Sequence, residues 1–474
     1  MRGLPSLQCA SFAVRMYVSD TIVAPATPPG RGAVAIIRLS GPEAIAIAHK
    51  LWHPLNPSTA PSRALRLGEI RDPITGAAVD RALCVIFPSP RSLTGEDIAE
   101  LHCHGGAYLV RRVLGLAMTA GARRAEPGEF SRRAYLNGRI DLTAAEAVAD
   151  LIEARGEKAL AQALAQLDGA LARRVNALRQ KLIGIRAHLE AEIDFADEDL
   201  SLPARPQMAC AVGDLIADLQ LLHASFARGR LAREGARAAI VGKPNVGKSS
   251  ILNLLLGTDR AIVTPHPGTT RDVIEEAIDL GPGPLVLADT AGLRESEDVV
   301  ERLGVQRTRL TAEQADLLVT VFDSTRPLDD DDARVIAAAA NRPGVAVLNK
   351  RDLPQQLRRE ELREGGIRLP IVELSAITSA GIDKLRNQLR TSVEELAGEG
   401  DTGEVTISRE RHRAAVARAL EALDGAARAL HAAMPPEIVA VDIALAAEAL
   451  GAITGLISTE EILDAIFREF CIGK

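Results

Sequence analysis

Apolar positions along this chain change their spacing at three places. Between residues 18 and 137, short apolar runs alternate with turns. The segments "AVAIIRLS", "ALCVIFPSP" and "DIAELHCH" predict strands, and residues 42–52 and 106–120 predict helices, an α+β mixture. The spacing then becomes three and four. Leu160, Leu164, Leu167, Leu171, Val175, Leu178, Leu182, Ile185 and Leu189 lay one apolar stripe along a helix that must pack on others. Thr143 and Glu146 are spaced for a capping box near the start of this region. Met208, Val212, Leu215, Leu219, Leu222 and Phe226 repeat the stripe. Near Gly235 short apolar strands begin to alternate with helices, as in a parallel α/β sheet. Past "AGEGDTGE" (397–404) helical spacing returns, with Val416, Leu420, Leu423, Ile453, Ile457, Ile462, Ile466 and Phe470.

The simplest architecture is a multidomain one in which an α/β domain is inserted into a helical domain. Such an insertion is tolerated when its two ends lie close together. The boundaries read as 16–137, 138–234 (helical, first part), 235–398 (α/β) and 399–474 (helical, second part, with the terminal "CIGK"). For residues 1–15 two readings stand: a transit peptide, or leading codons before a natural start at Met16.

Length and composition narrow the class. A chain of 474 residues exceeds one ordinary core, and 47% hydrophobic with 25% charged residues is a globular balance. The 3% aromatic content speaks against broad stacking of bases, and a net charge of −7 against a protein coated in nucleic acid. Local basic clusters remain at 173–186 and 228–237; they suit tRNA phosphates or plain solvated helix faces. Five scattered cysteines without a CxxC pair suit a reducing, cytoplasmic setting. The most apolar stretch, "IVAVDIALAAEALGAITGLI", contains Asp442 and Glu448 and reads as a buried helix, so no membrane partner is expected. The acidic run Asp329–Asp332 precedes an Ala-rich helix, where it suits the positive end of the helix dipole.

The inserted domain carries the chemistry. "GKPNVGKS" (242–249) follows a strand-like run and precedes "SILNLLL", the strand–loop–helix context of a phosphate-binding loop. Backbone amides from Asn245 to Ser250, including those of Val246 and Gly247, would wrap phosphates. Lys248 would reach the outer phosphates, and the Ser249 hydroxyl would ligate Mg²⁺. Further along, "GTTRD" supplies Thr270 as a second hydroxyl for Mg²⁺. "DTAG" (Asp289, Thr290, Ala291, Gly292) puts a carboxylate at a strand end and a backbone amide near the γ-phosphate. In "NKRD", Asn349 and Lys350 support Asp352, whose carboxylate accepts from guanine N1–H and the 2-amino group. Adenine lacks the second donor, so that pairing rejects ATP. Ser375 and Ala376 in "LSA" would contact the guanine oxygen. In this order the set specifies a Ras-like GTPase, with GTP as substrate.

Leu293 stands where Ras-like enzymes carry the water-orienting glutamine. Another acid must serve, and the residues alone do not rank Glu295, Glu297, Asp298 and Glu301. With no arginine finger in view, a monovalent cation could offset charge, held by the Asn245 side-chain carbonyl and backbone carbonyls of "TPHPGT". Simple loop capping is the other reading of Asn245.

The chain from about Ser19 to Lys474 resembles the MnmE (TrmE) family of tRNA uridine-modification GTPases. The resemblance rests on "DTIVAPATPPGRGAVAIIRLSG", "LTGEDIAELHCHGG", "PGEFSRRAYLNGRIDLTAAEAVADLI", the GTPase set and the terminal "CIGK". It implies an α+β N-terminal domain that binds tetrahydrofolate and mediates homodimerisation. It also implies G domains that pair when potassium and GTP bind, and a flavin-dependent partner of the MnmG type, joined in a heterotetramer or larger complex. The reaction implied is formation of a 5-carboxymethylaminomethyl or aminomethyl group on the wobble uridine of certain tRNAs. A 5-formyl or 5,10-methylene tetrahydrofolate would supply the carbon. By motif position, Arg38, Glu100, Arg139 and Lys474 match the family's folate contacts. Asn245, Thr264, His266 and Thr269 match its potassium site, and Glu301 its water-orienting residue. His266 stands where an apolar residue is more usual, and His102 where glutamine is common.

Two sequence details remain. His102 and His104 share one strand face and Cys103 takes the other, too few ligands for zinc. Cys471 is placed as in a prenylation signal, but Gly473 and Lys474 do not fit one. Leu463, Ile466, Phe467 and Phe470 are expected to anchor the last helix in the helical bundle. The family places the tail by the folate domain, where Cys471 would act in one-carbon or uridine chemistry or be an idle thiol. The competing readings are a ribosome-assembly GTPase, and a noncatalytic scaffold whose G domain only times partner binding.

Overall fold

A computed structural model describes residues 20–56, 63–154, 156–195, 205–258, 276–280, 284–288, 315–397, 405–468 and 470–473. The chain forms two compact units, one of Met1–Ala145 with Ser458–Lys474, the other of Glu146–Ile457.

The first unit is built on a seven-stranded sheet. Its strands are β1 (Ile22–Pro25), β2 (Gly32–Ser40), β3 (Trp52–Pro54), β4 (Arg66–Arg71), β5 (Ala78–Phe87), β6 (Ile98–Gly105) and β7 (Arg123–Arg124), in the order β3-β4-β5-β6-β2-β1-β7. All pairings are antiparallel except β1 with β7. Helices Ala44–Leu51 and Ala107–Thr119 cover one face, where Ile37, Leu39, Ile47, Leu101 and Val113 are buried. Alternation along β6 buries Leu101 and Cys103 and turns Glu100, His102 and His104 the other way.

The last helix departs from expectation. Leu463, Ile466 and Phe467, and Phe470 just beyond the helix, are buried, but the helix itself, Glu460–Arg468, packs on the helix Glu129–Leu136 of the first unit, not in the helical bundle. The apolar pattern could say that this helix has a buried face but not which surface it meets. Polar complementarity supplies that choice. Arg132 pairs with Asp464 at 3.0 Å, and the hydroxyls of Tyr135 and Ser458 lie 3.0 Å apart.

In the second unit four long helices, Ala170–Asp194, Arg205–Ala224, Glu410–His431 and Pro436–Thr454, share a core of Leu, Val, Ile and Ala. The stripe that begins at Leu160 is not one helix. It breaks at Gly169, whose φ of 81° is a left-handed conformation that glycine adopts without a Cβ penalty. Upstream of the break Leu160 and Leu164 are exposed, so only the stripe from Leu171 onward faces the bundle. The helix Leu142–Glu153 is started by Asp141, whose carboxylate accepts from the Ala144 amide at 2.8 Å and the Thr143 hydroxyl at 2.6 Å. Glu146, expected in a capping box with Thr143, is instead buried against Arg411 and His412.

The inserted domain has a six-stranded sheet, β13-β12-β11-β8-β10-β9. Its strands are β8 (Ala236–Val241), β9 (Glu276–Asp279), β10 (Pro284–Ala288), β11 (Leu317–Asp323), β12 (Gly344–Asn349) and β13 (Ile371–Glu373). Only β9 runs antiparallel; β11 and β12 are buried along their whole length, as central strands covered on both faces are. In the segments flanking the insertion, the Ile407 amide donates to the buried Ser225 hydroxyl at 3.2 Å. Among the described residues no helix is long and apolar enough to cross a membrane.

Candidate functional site

The phosphate loop leaves β8 and closes into the helix Lys248–Thr258. Asn245 and Gly247 take left-handed conformations, with φ of 63° and 101°, which turns successive backbone amides inward. Val246 is buried and pins the loop to the sheet core. Lys248 Nζ donates to the carbonyls of Gly242 at 2.8 Å and Lys243 at 2.7 Å, across the mouth of the loop. Ser249 and Ser250 stand exposed at the helix start, and Asn245 is exposed too.

The base-recognition residues gather at the ends of β12 and β13. Asn349 Nδ2 donates to the Val246 carbonyl at 2.8 Å, and its Oδ1 accepts from the Ala376 amide at 3.1 Å. The Ser375 hydroxyl donates to Asp352 Oδ1 at 2.6 Å, which fixes the carboxylate's plane and leaves acceptor capacity for a pair of donors. Lys350, at φ 66°, reaches Asp323 Oδ2 at 2.6 Å. Burial raises the Asp323 carboxyl's pKa, but Lys350 and the hydroxyl and amide of Thr325 outweigh it and hold the group below the usual carboxylate range. Asn349 thus ties the cradle of amides to the segment whose Ser375 orients a carboxylate suited to guanine.

Thr264, His266, Thr269, Thr270, Asp289, Thr290, Ala291, Gly292, Glu301 and Lys474 lie outside the described residues.

A second constellation lies on the first unit. Arg38 and Glu100 are register partners on β2 and β6, joined from Nε to Oε1 at 2.8 Å. His102 Nε2 lies 3.2 Å from the other oxygen, Oε2. The Arg38 guanidinium lies 5.7 Å over the Phe130 ring, and its Nη1 donates to the Gly473 carbonyl at 3.5 Å. The tail is therefore held. Ile472 bridges Pro127, the Gly128 amide donates to the Cys471 carbonyl at 3.4 Å, and Gly473 sits at φ 104°. A Cβ on Gly473 would collide with the Pro25 carbonyl, so glycine is required twice over. Cys471 itself is exposed. Arg139 lies beside Gly95, and among the described residues no hydrogen bond or ion pair joins it to Arg38 or Glu100.

His104 pairs with Asp80 at 2.8 Å, and burial pushes the Cys103 thiol up to about 11. Among the described residues no group of three or more His, Cys, Asp or Glu could hold a metal.

Residues 21–139 match the family model described as the GTP-binding protein TrmE N-terminus, and residues 142–471 match the MnmE helical domain. The chain belongs to the MnmE family of tRNA modification GTPases. The tRNA modification GTPase MnmE of Natranaerobius thermophilus is 42% identical over 459 residues, 96% of this chain and 99% of that protein. Its counterpart in Oceanobacillus iheyensis is 40% identical, covering 97% of this chain and all of its own length (100%). That of Moorella thermoacetica is 43% identical over 465 residues, 96% of this chain and 100% of that protein. Membership in the MnmE family sets aside the ribosome-assembly and scaffold readings, and the chain hydrolyses GTP.

Asp323, Thr325 and Lys243 did not emerge from the motifs. A carboxylate closing the apolar run "LLVTVFD" was the one available signal for Asp323. Lys243 had none beyond its place inside the loop.

Proposed function

We propose that this MnmE-family GTPase uses GTP hydrolysis to drive formation of a 5-carboxymethylaminomethyl or aminomethyl group on the wobble uridine of certain tRNAs. It acts as a cytoplasmic homodimer with an MnmG-type FAD-dependent partner in a heterotetramer or larger complex. The Asp352 carboxylate, oriented by Ser375, accepts from guanine. Lys248 and the amides of the loop hold the phosphates, and Ser249 with Thr270 would hold Mg²⁺. Glu301 would orient water. Asp289, Thr290, Ala291 and Gly292 would follow the γ-phosphate. Asn245, Thr264, His266 and Thr269 would hold potassium, which offsets charge where no arginine does. The exposed Asn245, with no hydrogen bond from its side chain among the described residues, favours that role over loop capping.

The observation that carries the one-carbon half is the Arg38–Glu100 pair beside the docked tail. Each Glu100 oxygen spends one lone pair on Arg38 or His102 and keeps another, enough to accept a pterin's adjacent N–H and amino group. The residues present therefore fit a tetrahydrofolate derivative, 5-formyl or 5,10-methylene, which supplies the one-carbon unit when bound. Arg38 and Arg139 would balance its carboxylates, and Lys474 would be a further contact. Cys471, exposed on the tail, is available for one-carbon or uridine chemistry.

Mass spectrometry of wobble uridines in cells lacking the protein tests this reading. The modified base should vanish, return with the wild-type gene, and fail to return with Glu100→Ala. Full restoration by Glu100→Ala would remove the folate half. Equal GTP turnover in potassium and in sodium would remove the cation half.

A further inference from the structure

The acidic run before the Ala-rich helix does more than serve that helix's dipole. Asp329 caps the helix Asp330–Ala339, accepting from the Asp331 amide at 3.0 Å and the Asp332 amide at 3.2 Å. Asp332 Oδ2 accepts back from the Asp329 amide at 3.2 Å, which completes a capping box and fixes both carboxylates. Between them sits the Lys243 ammonium, 2.7 Å from Asp329 Oδ2 and 2.7 Å from Asp332 Oδ2. Lys243 is a residue of the phosphate loop, and its carbonyl, like that of Gly242, accepts from the Lys248 ammonium. The side chain of one loop lysine is thus tied to a rigid helix start, while its backbone carries the other lysine.

We propose that Lys243 is a positioning residue for GTP hydrolysis, anchoring the carbonyls that aim Lys248 at the phosphates. The inference rests on the reading of Lys248 as a phosphate contact. An isolated surface ion pair would be too weak for this. Here the Lys243 and Asp332 side chains are only 16% and 6% exposed, and one cation serves two carboxylates held by backbone amides. Misplacing a charge-stabilising group by a fraction of an ångström costs rate rather than substrate binding.

Steady-state GTP turnover of the full chain tests this, with five variants. Lys243→Ala should lower kcat about tenfold and shift KM less than about twofold. Lys243→Arg, whose fork spans two carboxylates, should restore most of the rate. Asp332→Asn should reproduce the loss, and Lys243→Ala with Asp332→Asn should lose no more than either alone. Lys248→Ala is the control for the underlying reading. If it hydrolyses GTP normally, the phosphate-loop assignment fails. If it is inactive while Lys243→Ala keeps its kcat, or if the two single losses multiply, the positioning role of Lys243 is overturned. Thermal midpoints matching the wild type show that the variants are folded.

Discussion

Asn349 donates through Nδ2 to the carbonyl of Val246 at 2.8 Å while its Oδ1 accepts from the Ala376 amide at 3.1 Å. One buried amide therefore joins the phosphate loop to both segments that face the base. Replacing Asn349 with Ala leaves a loop carbonyl and a loop amide unpaired. The expected cost is about 2 kcal/mol, roughly thirtyfold in guanine-nucleotide affinity. Titration with a fluorescent GDP checks it; a dissociation constant within about twofold of wild type would mean the clamp is idle.

The Asp352 carboxylate accepts from Ser375 at 2.6 Å and presents only acceptors to a base. An asparagine there offers one acceptor and one donor. Guanine, with two adjacent donors, is then mismatched, whereas xanthine, with N1–H beside a carbonyl, is matched. Asp352→Asn should lower kcat/KM for GTP about a thousandfold and make xanthosine triphosphate the better substrate. Turnover of the two nucleotides at equal concentration measures the switch. Undiminished preference for GTP would show that some other group reads the base.

Gly473 holds the tail by having no side chain. At φ 104°, an alanine is strained and its Cβ meets the Pro25 carbonyl. Gly473→Ala should release the terminal residues, and the Gly128 amide, now bonded to the Cys471 carbonyl, should exchange about tenfold faster. Hydrogen exchange resolved to the peptide containing Gly128 reads this directly. Wild-type protection in the variant would mean the tail tolerates a Cβ.

The nucleotide site was the most legible part of the chain, for a physical reason. Phosphate cradles and base-reading carboxylates sit on short contiguous segments at strand ends, so Lys248 and Asp352 announce themselves locally. The Arg38–Glu100 pair joins positions on two strands whose register no local pattern fixes. It was reached only through family resemblance. The last helix showed its apolar face plainly, yet that face could not name its partner. The choice was made by Arg132 with Asp464 and Tyr135 with Ser458. At Asp141, Thr143 and Glu146, local spacing suggested one cap and the burial of Glu146 required another. Lys243 lies within the best-marked motif, and its role became visible only once Asp329 and Asp332 were seen beside it.

That buried glutamate gives the last prediction. Glu146 is 1% exposed and accepts from Arg411 Nη2 at 3.0 Å and His412 Nε2 at 2.9 Å, where the helix Glu410–His431 meets Leu142–Glu153. Burial alone would raise its pKa, but His412, Arg411 and Arg409 outweigh that and hold the carboxyl down to about 2. The unfolded chain titrates this group near 4.5. The stabilisation is therefore fully present above pH 4.5 and is lost as pH falls toward about 2. Burial also lowers the pKa of His412, so acid weighs against the folded state there too, whereas Asp150, raised by burial, opposes the trend. Comparison with Glu146→Gln isolates the glutamate from these neighbours. The variant should be less stable by about 3 kcal/mol at neutral pH, since the half-buried Arg411 loses its charged partner and is left with neutral acceptors such as the carbonyls of Ala452 and Ile453. Its deficit should shrink steadily below pH 4.5. Helix ellipticity followed through thermal unfolding at a series of pH values gives both curves. A deficit that stays constant down to pH 2 would show that Glu146 acts by shape and hydrogen bonding, not by its charge.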